Sequence, residues 1–204
     1  MAANIFSWTV VALILIVSAA MLASRDWRIQ LGLLALQYFS AFWLVTRHLP
    51  FAMGSAKLVT GWMVVAALGM TQLSLTVKSE EEGSLRMQGR WFSLTLVGIV
   101  AMTAAGATPL IEAAIPGLGL QVISGSILLI GSGLVHLGLT SDNFRVIIGL
   151  LTLLTGFEII YAAVESSILV AGLLAITNLG LGLTGSYLLI AEASSNETAE
   201  EETL

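Results

Sequence analysis

WRIQLGLLAL at Trp27–Leu36 and FRVIIGLLTL at Phe144–Leu153 are one stretch written twice, 117 residues apart. Five of the ten positions are identical: Arg28/Arg145, Gly32/Gly149, Leu33/Leu150, Leu34/Leu151 and Leu36/Leu153. Trp27/Phe144 and Ile29/Val146 keep their character. Each copy opens on an aromatic residue and a cation, then continues in Leu, Ile and Gly. That is the pattern of a helix starting at a membrane surface, where the cation anchors to headgroups and a glycine lets a neighbouring helix come close. Gly32 and Gly149 are therefore expected at helix contacts.

The bulk composition agrees with a lipid environment. The chain of 204 residues is 57% hydrophobic and 10% charged, with a mean hydropathy of +0.95; water-soluble domains carry about 25% charged residues. Seven stretches approach the roughly 20 apolar residues that a bilayer span needs: 5–23, 29–46, 53–73, 91–111, 121–139, 145–164 and 168–190. The first has no Lys or Arg ahead of it and is longer than a signal-peptide core, so it reads as a retained helix. The fold class expected is an all-α polytopic membrane protein.

The loops after spans one, three and five hold Arg25, Arg28, Lys78, Arg86, Arg90 and Arg145, whereas the opposite side holds only Arg47, with Lys57 inside a span. That asymmetry places those loops and the acidic C-terminal tail in the cytoplasm and the N-terminus outside. The offset of 117 also superimposes spans one to three on five to seven. The expected organisation is two parallel three-helix repeats, 1–76 and 116–192, related by an axis along the membrane normal. A cytoplasmic loop with a linker helix (77–115) joins them, and an acidic tail (193–204) follows. The net charge of −5 comes mostly from Glu80-Glu81-Glu82 and the tail glutamates.

Ionisable groups at membrane depth are candidates for function. Glu158 lies about 13 residues into span six, roughly 9 Å from its outer end at 1.5 Å per residue. Thr155, Tyr161 and Glu165 share its three-to-four spacing and form a polar stripe with it. Lys57 begins at a similar depth in span three. Together they read either as a proton-linked pair, since a carboxyl and an amine in low dielectric can exchange protons, or as a salt bridge fixing two helices. His136, near the cytoplasmic end of span five, can carry protons or mark a helix end. Asn178 in span seven can hydrogen-bond a water chain or a neighbouring helix. Tyr161 reads as an interface aromatic or a path residue, and Glu112 as a solvated cap of span four. Gly180, Gly182, Gly185 and Ser186 offer a small-residue face on span seven.

Other chemistry has no residues to carry it. The sequence contains no cysteine, which removes disulfides, thiolate metal sites and a cysteine nucleophile. It has no phosphate loop, no HExxH and no clustered His and carboxylate pattern, so neither a metal nor any other cofactor is expected. No basic stripe with interleaved aromatics points to nucleic acid. An enzyme is not expected.

Arg145-Val-Ile-Ile-Gly149-Leu-Leu followed by Gly156-Phe157-Glu158-Ile159-Ile160 resembles the K subunit of bacterial complex I and its relative, the C subunit of multisubunit cation/proton antiporters. The full length, with Lys57 on the helix after an early basic-Gly turn, resembles the E component of membrane-bound formate-hydrogenlyase-type hydrogenases. The resemblance is best over 140–190. It implies that Glu158 belongs to a proton-conducting axis, that antiporter-like membrane subunits are partners, and that the chain sits in a prokaryotic plasma (inner) membrane or a thylakoid membrane. K subunits carry a second glutamate on their third helix, where span seven here has only Asn178 and small residues. The leading expectation is a non-catalytic subunit of a complex I-related proton- or cation-translocating assembly, lending one carboxylate to a lateral proton path. The alternatives are a self-contained small transporter with a polar pocket between the repeats, for which Gln30 and Gln37 are available, and a purely structural or assembly subunit of a respiratory or photosynthetic complex.

Overall fold

The computed structural model describes residues 2–76, 88–165 and 167–202. Lys78, Arg86 and Glu80–Glu82 lie outside the described residues, as do the side chains of Arg90 and of the tail glutamates from Glu197 onward.

The described chain is seven helices: α1 (Ala2–Ala23), α2 (Trp27–Val45), α3 (Phe51–Thr76), α4 (Gln88–Ala114), α5 (Leu120–Leu139), α6 (Asn143–Val164) and α7 (Ile168–Glu202). All seven are long and apolar enough to cross a membrane. The protein is a multi-pass, all-α membrane protein.

The breaks have local causes. The Asp26 carboxylate accepts the Arg28 N–H at 2.9 Å, and the Asp142 carboxylate accepts the Arg145 N–H at 3.3 Å. The two related helices therefore start on the same N-cap device. Pro50 precedes α3, and its carbonyl accepts the N–H groups of Met53 and Gly54. Between α4 and α5 the chain turns on Gly117 (φ 99°) and Gly119 (φ 85°), a left-handed backbone that a Cβ resists. Replacing Asp26 with Ala is expected to cost about 1 kcal/mol, read as a drop in unfolding free energy in mixed micelles; an unchanged value would mean that the cap contributes nothing there. The apolar stretch 168–190 lies within α7, which runs on to Glu202. No Gly or Pro occurs after Gly185, and Ala and Glu in the tail favour helix.

The helices pack as two rows of three. α2 touches α1 and α3 in one row, and α6 touches α5 and α7 in the other. The rows lie in register, α1 on α5, α2 on α6 and α3 on α7, with α4 closing the end beside α1 and α5. Neither α1 and α7 nor α3 and α5 touch among the described residues.

α5 and α6 meet most closely. A Cβ on Gly133 would lie 2.8 Å from Leu153 N and 2.9 Å from Gly149 O, and one on Gly156 would lie 2.8 Å from Ile130 N. Such backbone approach is what small residues allow in a membrane bundle, where lipid tails offer no hydrophobic drive for association. Gly149 sits in this contact. Gly32 does not: it is exposed, with nothing within 4 Å of a built Cβ. Its helix presents Leu31 and Leu34 inward instead. Gly182 and Gly185 pack on Val64 and Ile147, whereas Gly180 faces open space.

The buried apolar side chains form two clusters. One includes Ile14, Leu44, Leu129 and Ile159; the other includes Leu34, Leu68, Ile148 and Leu151. On α2 and α6, the central helices of the rows, polar side chains separate the clusters: Gln37 and Ser40 on one, Thr152, Thr155 and Glu158 on the other.

Candidate functional site: a crossed square of polar side chains

α2, α3, α6 and α7 form a square in which α2 and α6 are neighbours, as are α3 and α7. Polar contacts cross both diagonals. Lys57 Nζ of α3 lies 3.8 Å from Glu158 Oε2 of α6, with the two side chains only 10% and 7% exposed. Tyr38 of α2 donates its hydroxyl to Asn178 Oδ1 of α7 at 2.9 Å. α3 and α6 do not themselves touch, so the long, flexible lysine stem provides the reach. Gly61 makes room for the second diagonal, since a Cβ there would fall 2.6 Å from the Tyr38 ring.

The ion pair is incomplete. Glu158 Oε1 is buried and has no hydrogen-bond partner. Beside the pair is a void of about 10 Å³, lined by Tyr38, Lys57, Leu58, Thr155, Glu158 and Ile159 among others. That is the lower limit for a single water and far below the size of a solute pocket.

Further polar contacts continue across the bundle. The Thr152 hydroxyl donates to Gln37 Oε1 at 3.5 Å, linking α6 to α2. Ser126 Oγ donates to the Gly156 carbonyl at 2.6 Å, linking α5 to α6. The Ser132 and Ser18 hydroxyls lie 3.3 Å apart between α5 and α1, and those of Thr108 and Ser124 are 3.0 Å apart between α4 and α5. Polar links thus join α2 to α6, α5 to α6, α1 to α5 and α4 to α5. Gln37 Nε2, His136 Nε2 and Ser186 Oγ are buried without partners. In a low-dielectric interior such atoms are costly unless water or a proton-transfer role satisfies them.

The structure brings together Glu158, Lys57 and, one diagonal away, Asn178. It separates Tyr161, whose half-buried ring stacks at 6.0 Å on the exposed Phe157. The expected stripe is therefore split: Thr155 and Glu158 face in, Tyr161 is half-buried and Glu165, the C-cap of α6, is exposed. At 100° per helical residue the three-residue steps carry Tyr161 off the face of Thr155, whereas Glu165 lies past the last helical residue, Val164, in extended backbone. Glu112 does more than sit in solvent, since its carboxylate accepts the N–H groups of Gly117 at 3.1 Å and Gly119 at 2.9 Å, closing the turn into α5. His136 lies apart, buried in the last turn of α5. Arg28 and Arg145 have also diverged: Arg28 stacks over Trp27 at 5.2 Å, whereas the Arg145 guanidinium donates to the Ser24 carbonyl, which Gln30 Nε2 also reaches at 2.7 Å.

Tyr38 was not singled out from the sequence, although the offset of 117 sets it opposite Thr155, beside which it lines the void. Comparison with known protein families, curated proteins and solved structures finds no match.

Proposed function

We propose that this chain is a non-catalytic membrane subunit of a proton- or cation-translocating assembly related to respiratory complex I, and that Glu158 with Lys57 is its proton-handling pair. The observation that carries this reading is an ion pair buried at membrane depth with one carboxylate oxygen left unpartnered. Ionisable groups are retained in a bilayer chiefly where they serve ion pathways or pair with each other. One partner comes from the first triplet and the other from the second. The polar links on α2, α5, α6 and α7 support a route that runs laterally through the bundle rather than straight across it. The basic loop residues support a cytoplasmic position for the end that carries Asp26 and Asp142, in a prokaryotic plasma or thylakoid membrane. A single pair cannot complete a pump, so the reading requires antiporter-like partner subunits.

Glu158→Gln keeps the shape and removes the titrating group. In membranes containing the captured assembly it is expected to leave subunit composition intact and abolish ion translocation. Unchanged translocation would refute the reading.

A second reading has its own observation. The closed square, with both diagonals bonded and room for no more than one water, also suits a packing lock. On that reading Glu158→Gln would release subunits without a specific effect on flux. The void beside the ion pair is itself too small to hold a solute.

A further inference from the structure

His136 has an unusual position for a histidine in the last turn of a membrane helix. One turn from the end of α5 its imidazole could reach headgroups or water, yet it is folded inward, 4% exposed, with Nε2 unpartnered. Ser132 lies one turn deeper on the same helix, about 6 Å along the axis, and its hydroxyl faces Ser18 of α1. Further in are Gln37, whose Nε2 is also buried and unpartnered, and Thr152, hydrogen-bonded to Gln37 Oε1. Thr155 and Glu158 follow on α6 at three-residue steps, ending at the unpartnered Glu158 Oε1. Unpartnered buried polar atoms thus occur at the start, the middle and the end of one series of polar side chains. Of the helices that carry the series, α1, α2 and α5 touch one another, and α6 touches α2 and α5.

We infer that His136 is the cytoplasmic port of Glu158: internal waters bound at His136 Nε2, Gln37 Nε2 and Glu158 Oε1 join Ser132–Ser18 and Thr152 into a second limb of the path, running from the cytoplasmic end of α5 to the ion pair. This rests on the proposed proton-handling role of Glu158 and adds the side from which it is charged. Polar atoms able to hold a bridging water each need partners, and these have none from the protein. The glycine contacts of α5 on α6 leave no gap between those two helices, so the limb runs on the face of α5 that meets α1 and α2. The imidazole can pass a proton by taking it on one nitrogen and releasing it from the other. The Arg145 cation of α6, anchored to the Ser24 carbonyl, acts electrostatically on His136.

The chain has two histidines, and His48 lies beyond the opposite end of α2. His48→Gln therefore isolates the signal of His136 without touching the limb. In the full chain, reconstituted with isotope-labelled histidine in phosphatidylcholine–phosphatidylglycerol vesicles, solid-state NMR is expected to show a water-proton cross peak at His136 Nε2 and rapid exchange with solvent deuterium. A dry, non-exchanging imidazole would overturn the proposal. In the captured assembly, His136→Leu and Ser132→Ala are each expected to lower translocation by roughly a hundredfold, the scale of a lost proton-transfer group. If Glu158→Gln abolishes translocation while both of these variants retain it, the port is wrong and the role of Glu158 stands. If Glu158→Gln itself has no effect, the underlying reading fails and the port falls with it.

Discussion

Lys57→Met destabilises the folded chain by about 3–5 kcal/mol, the cost of leaving a buried charge without its partner. The expectation follows from the square: Glu158 is 7% exposed, its Oε2 has the lysine ammonium at 3.8 Å and its Oε1 has no partner. Methionine keeps the stem and loses the charge, so little packing is disturbed. Adding Glu158→Leu should recover most of the loss, because two apolar side chains can replace a buried ion pair at little net cost. Reversible unfolding in bicelles, followed for wild type, both single variants and the double variant, gives the coupling directly. A neutral Lys57→Met would mean that Glu158 already carries its proton in the folded chain and that the pair is not ionic. That outcome would also change the proposed function, since a carboxyl that is always protonated relays nothing.

The second large effect lies in the α5/α6 contact. Gly156→Ala is expected to cost about 1–3 kcal/mol through overpacking. The added Cβ would meet the Ile130 backbone nitrogen at 2.8 Å as well as the Leu129 Cβ, and a backbone atom cannot rotate aside. Gly133→Ala meets Leu153 N and Gly149 O and should behave alike. Gly156→Ala has a further consequence, because separating α6 from α5 strains the Ser126 hydrogen bond to the Gly156 carbonyl. Gly32→Ala is the matched control: with open space around it, the substitution should be neutral or stabilising by up to about 1 kcal/mol from helix propensity alone. If Gly32→Ala were as damaging as Gly156→Ala, the arrangement of the two rows described above would be wrong.

The contrast between Gly32 and Gly149 shows where sequence reading stops. The two occupy equivalent places in the repeated stretch, but one faces outward and the other packs at a backbone contact. In water, an apolar stripe on a polar helix announces its buried face. Here, lipid-facing and protein-facing surfaces are both apolar, so the pattern does not distinguish them. Exposed Leu36, Phe39 and Trp43 alternate along α2 with buried Leu34, Tyr38 and Leu44, and their chemistry alone does not separate the two sets. Tyr38 was overlooked for the same reason. Glu158 and Lys57 could be found because charge in a span is conspicuous wherever it points.

What the sequence by itself determined is the one-dimensional layout. The number of apolar spans, the breaks that hold Asp26 and Asp142, the turn at Pro116-Gly117 and the places of Lys57 and Glu158 within their spans all follow from chain length, apolar runs and local turn chemistry. These depend on neighbours along the chain, which the sequence states outright. Only the tertiary structure decided that the two triplets stack in register, that Lys57 meets Glu158 across one diagonal while Tyr38 meets Asn178 across the other, and that His136 turns inward. Those outcomes depend on which helix faces come together. In a bundle whose outer and inner faces are equally apolar, that choice is made by side-chain fit, close glycine contacts and a few polar links between residues more than a hundred positions apart.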